Sequence, residues 1–220
     1  MPHPFPHTTA TGLPPVPVNV LLPSPDYHPT ARSQAADWFH LDPRIAATVI
    51  ADYTRHRDAV IDLDRSPTIA AAARWLGRRP TTLVTQRHRR QGRPRPSVSV
   101  PRRRRAGLII VRLPRRGAAY GDLHGLVRAM HIWRAALRPG GFLLAALTAV
   151  DPDDHAGTVI TAARSAGLRY HQHLIAVHGR LPERDPQPDE PRLGDGRHAV
   201  IHTSLLAFAA TKTNTGGAGA

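Results

Sequence analysis

The residues best suited to chemistry lie in the run Asp62-Leu63-Asp64-Arg65-Ser66-Pro67. It follows the apolar segment Ala59-Val60-Ile61, which reads as a buried strand, and it enters a helix that starts on proline. An acid at the end of a strand accepts hydrogen bonds from a ligand amine or hydroxyl. The helix start beside it offers free N–H groups and the positive end of a dipole. Asp62, Asp64 and Ser66 are therefore candidate ligand-binding residues. The same residues also have a plainer use. Every strand-to-helix junction needs a cap, and Asp64 or Ser66 supplies one.

A second set of residues is basic. No acid occurs between Asp64 and Asp122, and that stretch contains Arg102, Arg103, Arg104, Arg105, Arg115 and Arg116 among many other arginines. Such a field attracts polyanions, because neutralising phosphates releases counterions. Arg102–Arg105 directly precede an apolar strand at Leu108–Leu113. One reading makes them a phosphate-binding arm beside the mouth of a site, with DNA or RNA as the partner. The other makes 86–105 a solvated insertion, and Pro94, Pro96 and Pro101 favour a disordered chain when nothing is bound. The insertion contains no aromatic residue, so base stacking does not come from it.

The 14 histidines raise the question of a metal. His171 and His173 are two apart on an expected strand, and His198 and His202 are four apart, roughly 13 Å along an extended chain. No carboxylate accompanies either pair at ligand spacing, so packing or surface roles are expected and no metal site. No Ser/His/Asp arrangement and no glycine loop fit to cradle phosphate is present.

Composition bounds the rest. The chain has 220 residues, 30 Lys+Arg against 16 Asp+Glu, a formal charge of +14 and no cysteine. All of the basic residues except Lys212 are arginine. Without cysteine there is no disulfide scaffold, no thiolate metal site and no thiol nucleophile. No apolar stretch of about 18 residues is present, so no membrane helix is expected. The proline- and histidine-rich start, Met1–Pro17, does not read as a secretory signal, which makes a cytoplasmic protein the expectation.

The elements that must position these residues begin after a proline-rich arm, residues 1–36, in which 18–22 can form one short strand. Asp42-Pro43 opens a helix with Ile45, Ala46, Val49, Ile50 and Tyr53 on its apolar stripe. The spacing then predicts a strand at 59–63, a helix from Ser66-Pro67 to Gly77, and a strand at 82–85. A further strand is possible at 97–100, and a firm one is expected at 108–113. A helix follows from Asp122, ended by Pro139-Gly140-Gly141, then a strand at 142–147 and a helix opened by Asp153 or Asp154. Two final strands are expected at 168–177 and 199–208. Alternation of helices with near-continuous apolar strands implies an α/β fold with a mostly parallel sheet covered on both faces. The last two strands have no helix between them, so an antiparallel strand is expected at one edge. The expected organisation is the arm, a domain over 37–210 with a basic linker at 86–106, and a tail at 211–220.

Tyr53-Thr54, Asp58, Val60-Ile61-Asp62, Ala70–Ala73 and Leu76-Gly77-Arg78 carry a resemblance. They fall in register with the amino-methylating (N4-cytosine/N6-adenine) S-adenosylmethionine-dependent DNA methyltransferases. There a helix ending in a "YT-x-x-GD" turn leads into a strand reading "VLDPF-x-G-x-GTT" and an alanine-rich helix ending "LGR". Leu137-Arg138-Pro139-Gly140-Gly141-Phe142 resembles the "L-K/R-PGG" turn of class I methyltransferases, and 166–168 with 198–208 resembles the family's tail. The resemblance implies a class I methyltransferase-like, Rossmann-type sheet. It also implies S-adenosylmethionine as cofactor, held at Asp62 with Asp64 and Ser66, and a nucleic acid partner.

The chain departs from that pattern in three places. Ser66 and Thr68 stand where the family has glycines that let backbone approach the cofactor. Thr85 or Gln86 stands where an acid holds the ribose hydroxyls. Arg112-Leu113-Pro114-Arg115-Arg116 stands where an Asp, Asn or Ser precedes Pro-Pro and an aromatic, so Pro114 is the one catalytic-motif position that matches. The expectation is a methyltransferase-like protein of DNA-methylase ancestry with degenerate cofactor and catalytic motifs. The alternative is a catalytically inactive nucleic-acid-binding or regulatory module on the same fold.

Overall fold

The computed structural model describes residues 16–24, 38, 41–83, 86–88, 95–97, 105–115, 122–147, 152–178 and 202–211. Within these, the elements in chain order are β1 (Val18–Leu21), α1 (Pro43–Tyr53), β2 (Ala59–Asp62), α2 (Pro67–Trp75), β3 (Arg79–Thr81), β4 (Gln86–His88), β5 (Arg95–Ser97), β6 (Ala106–Leu113), α3 (Leu123–Ala136), β7 (Leu137–Leu147), α4 (Pro152–Ser165), β8 (Leu168–Val177) and β9 (His202–Ala210).

Seven strands form one sheet in the order β1-β8-β9-β7-β6-β2-β3. β2, β3, β6 and β7 run parallel, as do β1 and β8, while β9 is antiparallel to both β7 and β8. The antiparallel pair expected near an edge is therefore present. It lies one strand in, because β1 joins outside β8 with Val18 opposite His173. β4 and β5 pair separately as an antiparallel ribbon.

The sheet is covered on both faces. Ile45, Val49, Ile50 and Tyr53 of α1 and Ile69 and Ala73 of α2 pack with Val60, Leu108, Ile110 and Leu144 on one face. Leu126, Met130 and Trp133 of α3 and Val159, Ala162 and Ala163 of α4 pack with Ile61, Ile109, Val111 and Leu143 on the other. Both neighbours of each central strand residue are thus buried, as the unbroken apolar run Leu108–Val111 requires.

The helix starts are capped as the sequence suggests at two of three described positions. Asp42 accepts from the Arg44 amide at 2.8 Å and Asp122 from the Gly125 amide at 2.6 Å. At α2, Ser66 occupies the cap position, but its side chain makes no capping bond. The side chains that open α4 lie outside the described residues.

Three boundaries differ from the expected ones. The strand expected at 82–85 is β3, Arg79–Thr81, because Gly77 turns the chain at φ +72° and returns it to the sheet two residues later. The strand expected at 97–100 is β5, Arg95–Ser97. Pro139-Gly140-Gly141 does not separate α3 from β7. The helix ends at Ala136, and the turn is an irregularity inside β7, where the register jumps from Ala106–Leu137 to Leu108–Phe142.

Candidate functional site

β2 ends on Asp62, and the five residues 62–66 turn the chain into α2 by folding onto their own carboxylates. Asp62 Oδ1 accepts from the Asp64 amide at 2.9 Å, and Oδ2 accepts from the Ser66 amide at 2.5 Å. Arg65 between them takes φ +58°. Burial pushes the Asp62 carboxyl above the usual carboxylate value, against the opposing pull of those amide hydrogen bonds. The Ser66 hydroxyl is buried and has no hydrogen-bond partner.

Asp64 faces away from this turn. Its Oδ2 accepts from the Arg112 amide at 2.7 Å, and its Oδ1 receives Arg115 Nη1 at 2.9 Å. Arg115 Nη2 also donates to the Leu63 carbonyl at 3.2 Å. The loop after β2 is thereby fastened to the end of β6. Pro114, joined to Leu113 by a cis peptide bond, lies between the two arginines that make this link.

A cavity of about 460 Å³ opens beside the turn, at the carboxyl ends of β2 and β3. Its charged and hydroxyl groups are Asp62, Arg65, Ser66, Arg74, Thr81 and Thr82. Val60, Ile69 and Pro80 supply apolar wall. Such a volume suits one drug-sized ligand, and ligands of parallel sheets bind at this end of the strands. The chemistry available is recognition: a half-buried carboxylate, two guanidiniums and three hydroxyls can fix hydroxyl, amine and carboxylate groups.

Of the expected site residues, the structure gathers Asp62 and Ser66 at the cavity. Asp64, expected beside them, is instead the partner of Arg115, which was expected to contact nucleic acid. Thr85 lies outside the described residues, and the earlier end of β3 brings Thr81 and Thr82 to the wall in place of Thr85 or Gln86. Arg105 is not beside the mouth. It precedes β6, whose eight residues span roughly 26 Å, so Arg105 and Arg115 sit at opposite ends of that strand. Arg102, Arg103, Arg104 and Arg116 lie outside the described residues. Arg65 and Arg74 were not singled out. The signal for Arg74 was the spacing of α2, which turns Ala70 and Arg74 to the same side, and that for Arg65 was its place in the strand-to-helix turn.

Thr54, Asp58, Arg78 and Arg138, which also carry the resemblance, do their work at the other end of the sheet. Arg78 Nε donates to Thr54 Oγ1 at 2.9 Å and Nη2 to the Thr54 carbonyl at 3.1 Å. Asp58 is clasped by Arg138, with Nη2 at 2.7 Å from Oδ2 and Nε at 3.1 Å from Oδ1. These contacts join α1, α2, β2 and the turn in β7, which makes them fold determinants. His171 is also a packing residue, with its ring centroid 5.2 Å from that of Phe142 and 6.4 Å from that of Tyr53. His173 is half-buried, and burial, then the nearby His202, holds its pKa below the usual histidine value. His198 lies outside the described residues. Among the described residues no cluster of three or more metal-ligating side chains occurs, and no helix is long and apolar enough to cross a membrane.

The strand order, with an antiparallel strand inserted before the parallel set, and helices on both faces define a class I methyltransferase-like, Rossmann-type α/β fold. The chain is similar to the structure of a methyltransferase from Pyrococcus furiosus, at 12% identity over 82% of this chain and 94% of that one, with a TM-score of 0.46. It is also similar to TrmN from Thermus thermophilus, at 12% identity over 77% of this chain and 49% of that one, with a TM-score of 0.40. No family model matches the sequence, and no curated protein matches it.

Proposed function

We propose that the protein binds S-adenosylmethionine or its demethylated product in the cavity beside Asp62 and Ser66. The observation that carries this reading is the position of the cavity. It opens at the carboxyl ends of β2 and β3, beside Asp62, the acid at the end of the strand of the resembled motif. The lining fits the group. Asp62, Thr81 and Thr82 suit ribose hydroxyls or an amine, Arg65 or Arg74 suits the carboxylate, and Val60, Ile69 and Pro80 offer apolar wall to a base. When bound, this cofactor supplies an electrophilic methyl group.

A second reading, that the chain binds but transfers no methyl group, is favoured by the Asp64–Arg115 pair. It occupies the space between the β2 loop and the end of β6, where the resembled family carries its catalytic motif. The described residues there are Arg112, Leu113, Pro114 and Arg115, which provide no carboxylate or amide side chain to accept from a target amino group. The resemblance of Tyr53-Thr54, Asp58 and Leu76-Gly77-Arg78 supports DNA-methylase ancestry.

Calorimetric titration with S-adenosylmethionine and S-adenosylhomocysteine tests the first reading. Saturable binding at micromolar strength, lost in Asp62→Ala, is expected. Absence of heat together with absence of thermal stabilisation at millimolar cofactor overturns it. Incubation of the bound protein with radiolabelled cofactor and DNA then tests the second reading, with no label transfer expected.

A further inference from the structure

The N-terminal ends of β2 and β3 carry a basic surface, at the strand ends away from Asp62 and Ser66. Ala59 pairs with Arg79 on one flank and with Ala106 on the other, so Arg79 and the residue following Arg105 stand in one row about 10 Å across. Around the Gly77 turn the backbone and guanidinium groups interlock. The Arg57 amide donates to the Gly77 carbonyl at 3.0 Å, Arg79 Nε donates to the Arg57 carbonyl at 3.1 Å, and Arg78 is held by Thr54. Arg55, His56, Arg57 and Arg79 are exposed. Asp58, the carboxylate within this turn, is already committed to Arg138, and Asp52 stands on the last turn of α1.

Trp75 closes α2 at this same end and is 79% exposed. Among the described residues, the other exposed large apolar ones, Val18, Val20, Leu22 and Leu123, belong to the β1 edge or to the start of α3. A single exposed indole within four residues of Arg74, Arg78 and Arg79 in the chain is poorly suited to a lipid surface, which needs a broad apolar face. It is well suited to a chain of phosphates with unstacked bases. Aromatic rings stack on bases of any sequence, arginine neutralises the backbone, and a duplex keeps its bases out of reach.

We propose that this end of the sheet binds single-stranded nucleic acid, with Trp75 as the stacking platform and Arg57 and Arg79 as phosphate contacts. The surface shares no residue with the cavity lining, although Arg74 and Pro80 of that lining are the chain neighbours of Trp75 and Arg79. It places the polyanion at the Arg105 end of β6, away from Arg115. Part of the chain's charge of +14 thereby acquires a location in the segment that carries Trp75.

Intrinsic fluorescence tests this directly, because Trp38 and Trp133 are each 2% exposed and Trp75 is the accessible indole. Titration of the full chain with an oligothymidylate should quench emission saturably, and anisotropy of the labelled strand should report the same affinity. Trp75→Ala should weaken binding about ten-fold, and Trp75→Phe should retain most of it. Arg57→Glu with Arg79→Glu should weaken binding further and flatten its salt dependence. Because Arg79 also donates to the Arg57 carbonyl, Arg57→Glu alone is measured as well, and unchanged thermal melting of that variant and of Trp75→Ala is the control for folding. Affinity unchanged in Trp75→Ala, or quenching by anionic vesicles without quenching by the oligonucleotide, overturns the proposal.

Discussion

The Asp64 carboxylate receives the Arg115 guanidinium at 2.9 Å and the Arg112 amide at 2.7 Å, joining the loop after β2 to the end of β6 across 51 residues of sequence. The loop so fastened is the one that presents Asp62 and Ser66 to the cavity. Its turn is therefore set from two sides, by Asp62 within and by Asp64 from β6.

Arg115→Ala should cost about 0.5–1 kcal/mol of stability, since both side chains are a quarter exposed and such pairs are partly screened. Asp64→Ala should cost more, because it also strands the Arg112 amide. Asp64→Asn should fall between the two, since its amide oxygen still accepts from Arg112. Urea denaturation of the three variants checks the order. Cofactor affinity should fall a few-fold in Asp64→Ala, as the loop loses its outer anchor.

The two buried-side acids should respond to pH in opposite senses. Burial works to raise the Asp58 carboxyl, but hydrogen bonds from Arg138 and the Arg55 amide, with the charges of both arginines, leave it below its ordinary 3.8. Its ionised form therefore stabilises the fold above pH 3.8, and that contribution is lost as pH falls through the lower folded value. Asp62 is raised, so its ionisation opposes folding above the raised value and acid relieves the opposition. The stability gap between the parent and Asp58→Asn should narrow below pH 3.8. Relative to Asp62→Asn, the parent should gain stability as pH falls toward that value. Denaturation midpoints measured across the acid range decide both.

Much of the architecture was legible because each local signal had one meaning. Asp42-Pro43, the stripe from Ile45 to Tyr53 and the unbroken run Leu108–Val111 specify a capped helix and a strand covered on both faces, and 168–177 is a strand to the residue. The end of β3 was misplaced because Thr82–Thr85 looks more strand-like than Arg79-Pro80-Thr81. An edge strand tolerates that proline, and the Gly77 turn decides where the chain re-enters. That Asp62 and Ser66 stand together at the carboxyl end of β2 was readable from their place between a strand and a helix. The Asp64–Arg115 link was not, since no local pattern pairs residues so far apart. The position of Arg105 was readable in principle, because a residue before a parallel strand lies at the end away from the ligand side. Trp75 was hidden for another reason. In a helix of nine residues, an aromatic at the last turn fits the apolar stripe as well as it fits the surface.

Asp58 and Gly107 should be coupled. A Cβ placed on Gly107 would lie 2.6 Å from Asp58 Cγ and against its carboxylate oxygen, so the absence of a side chain on β6 is what admits the ion pair with Arg138. Gly107→Ala should destabilise by about 1–3 kcal/mol through overpacking. Asp58→Ala alone should also destabilise, by freeing Arg138 and the Arg55 amide. The double variant should cost less than the sum, because the clash needs both groups. Additive costs would show that Gly107 is not required by Asp58.

Ser66 is the residue at which the cofactor reading and the departure from the resembled family meet. Its hydroxyl is buried without a partner and makes no capping bond, so Ser66→Gly removes little that holds α2, and a loss of only a few tenths of a kcal/mol is expected. The same change takes a side chain off the cavity wall, where backbone could then approach a ligand. With Thr68→Gly it reproduces both glycine positions of the resembled motif. If the cavity holds S-adenosylmethionine, Ser66→Gly should tighten binding several-fold by calorimetry, while Ser66→Val, which enlarges the wall without a hydroxyl, should weaken it. If both variants bind as the parent does, the ligand does not pass over the Ser66 end of the turn. The Arg74, Thr81 and Thr82 end of the cavity would then be the place to substitute next.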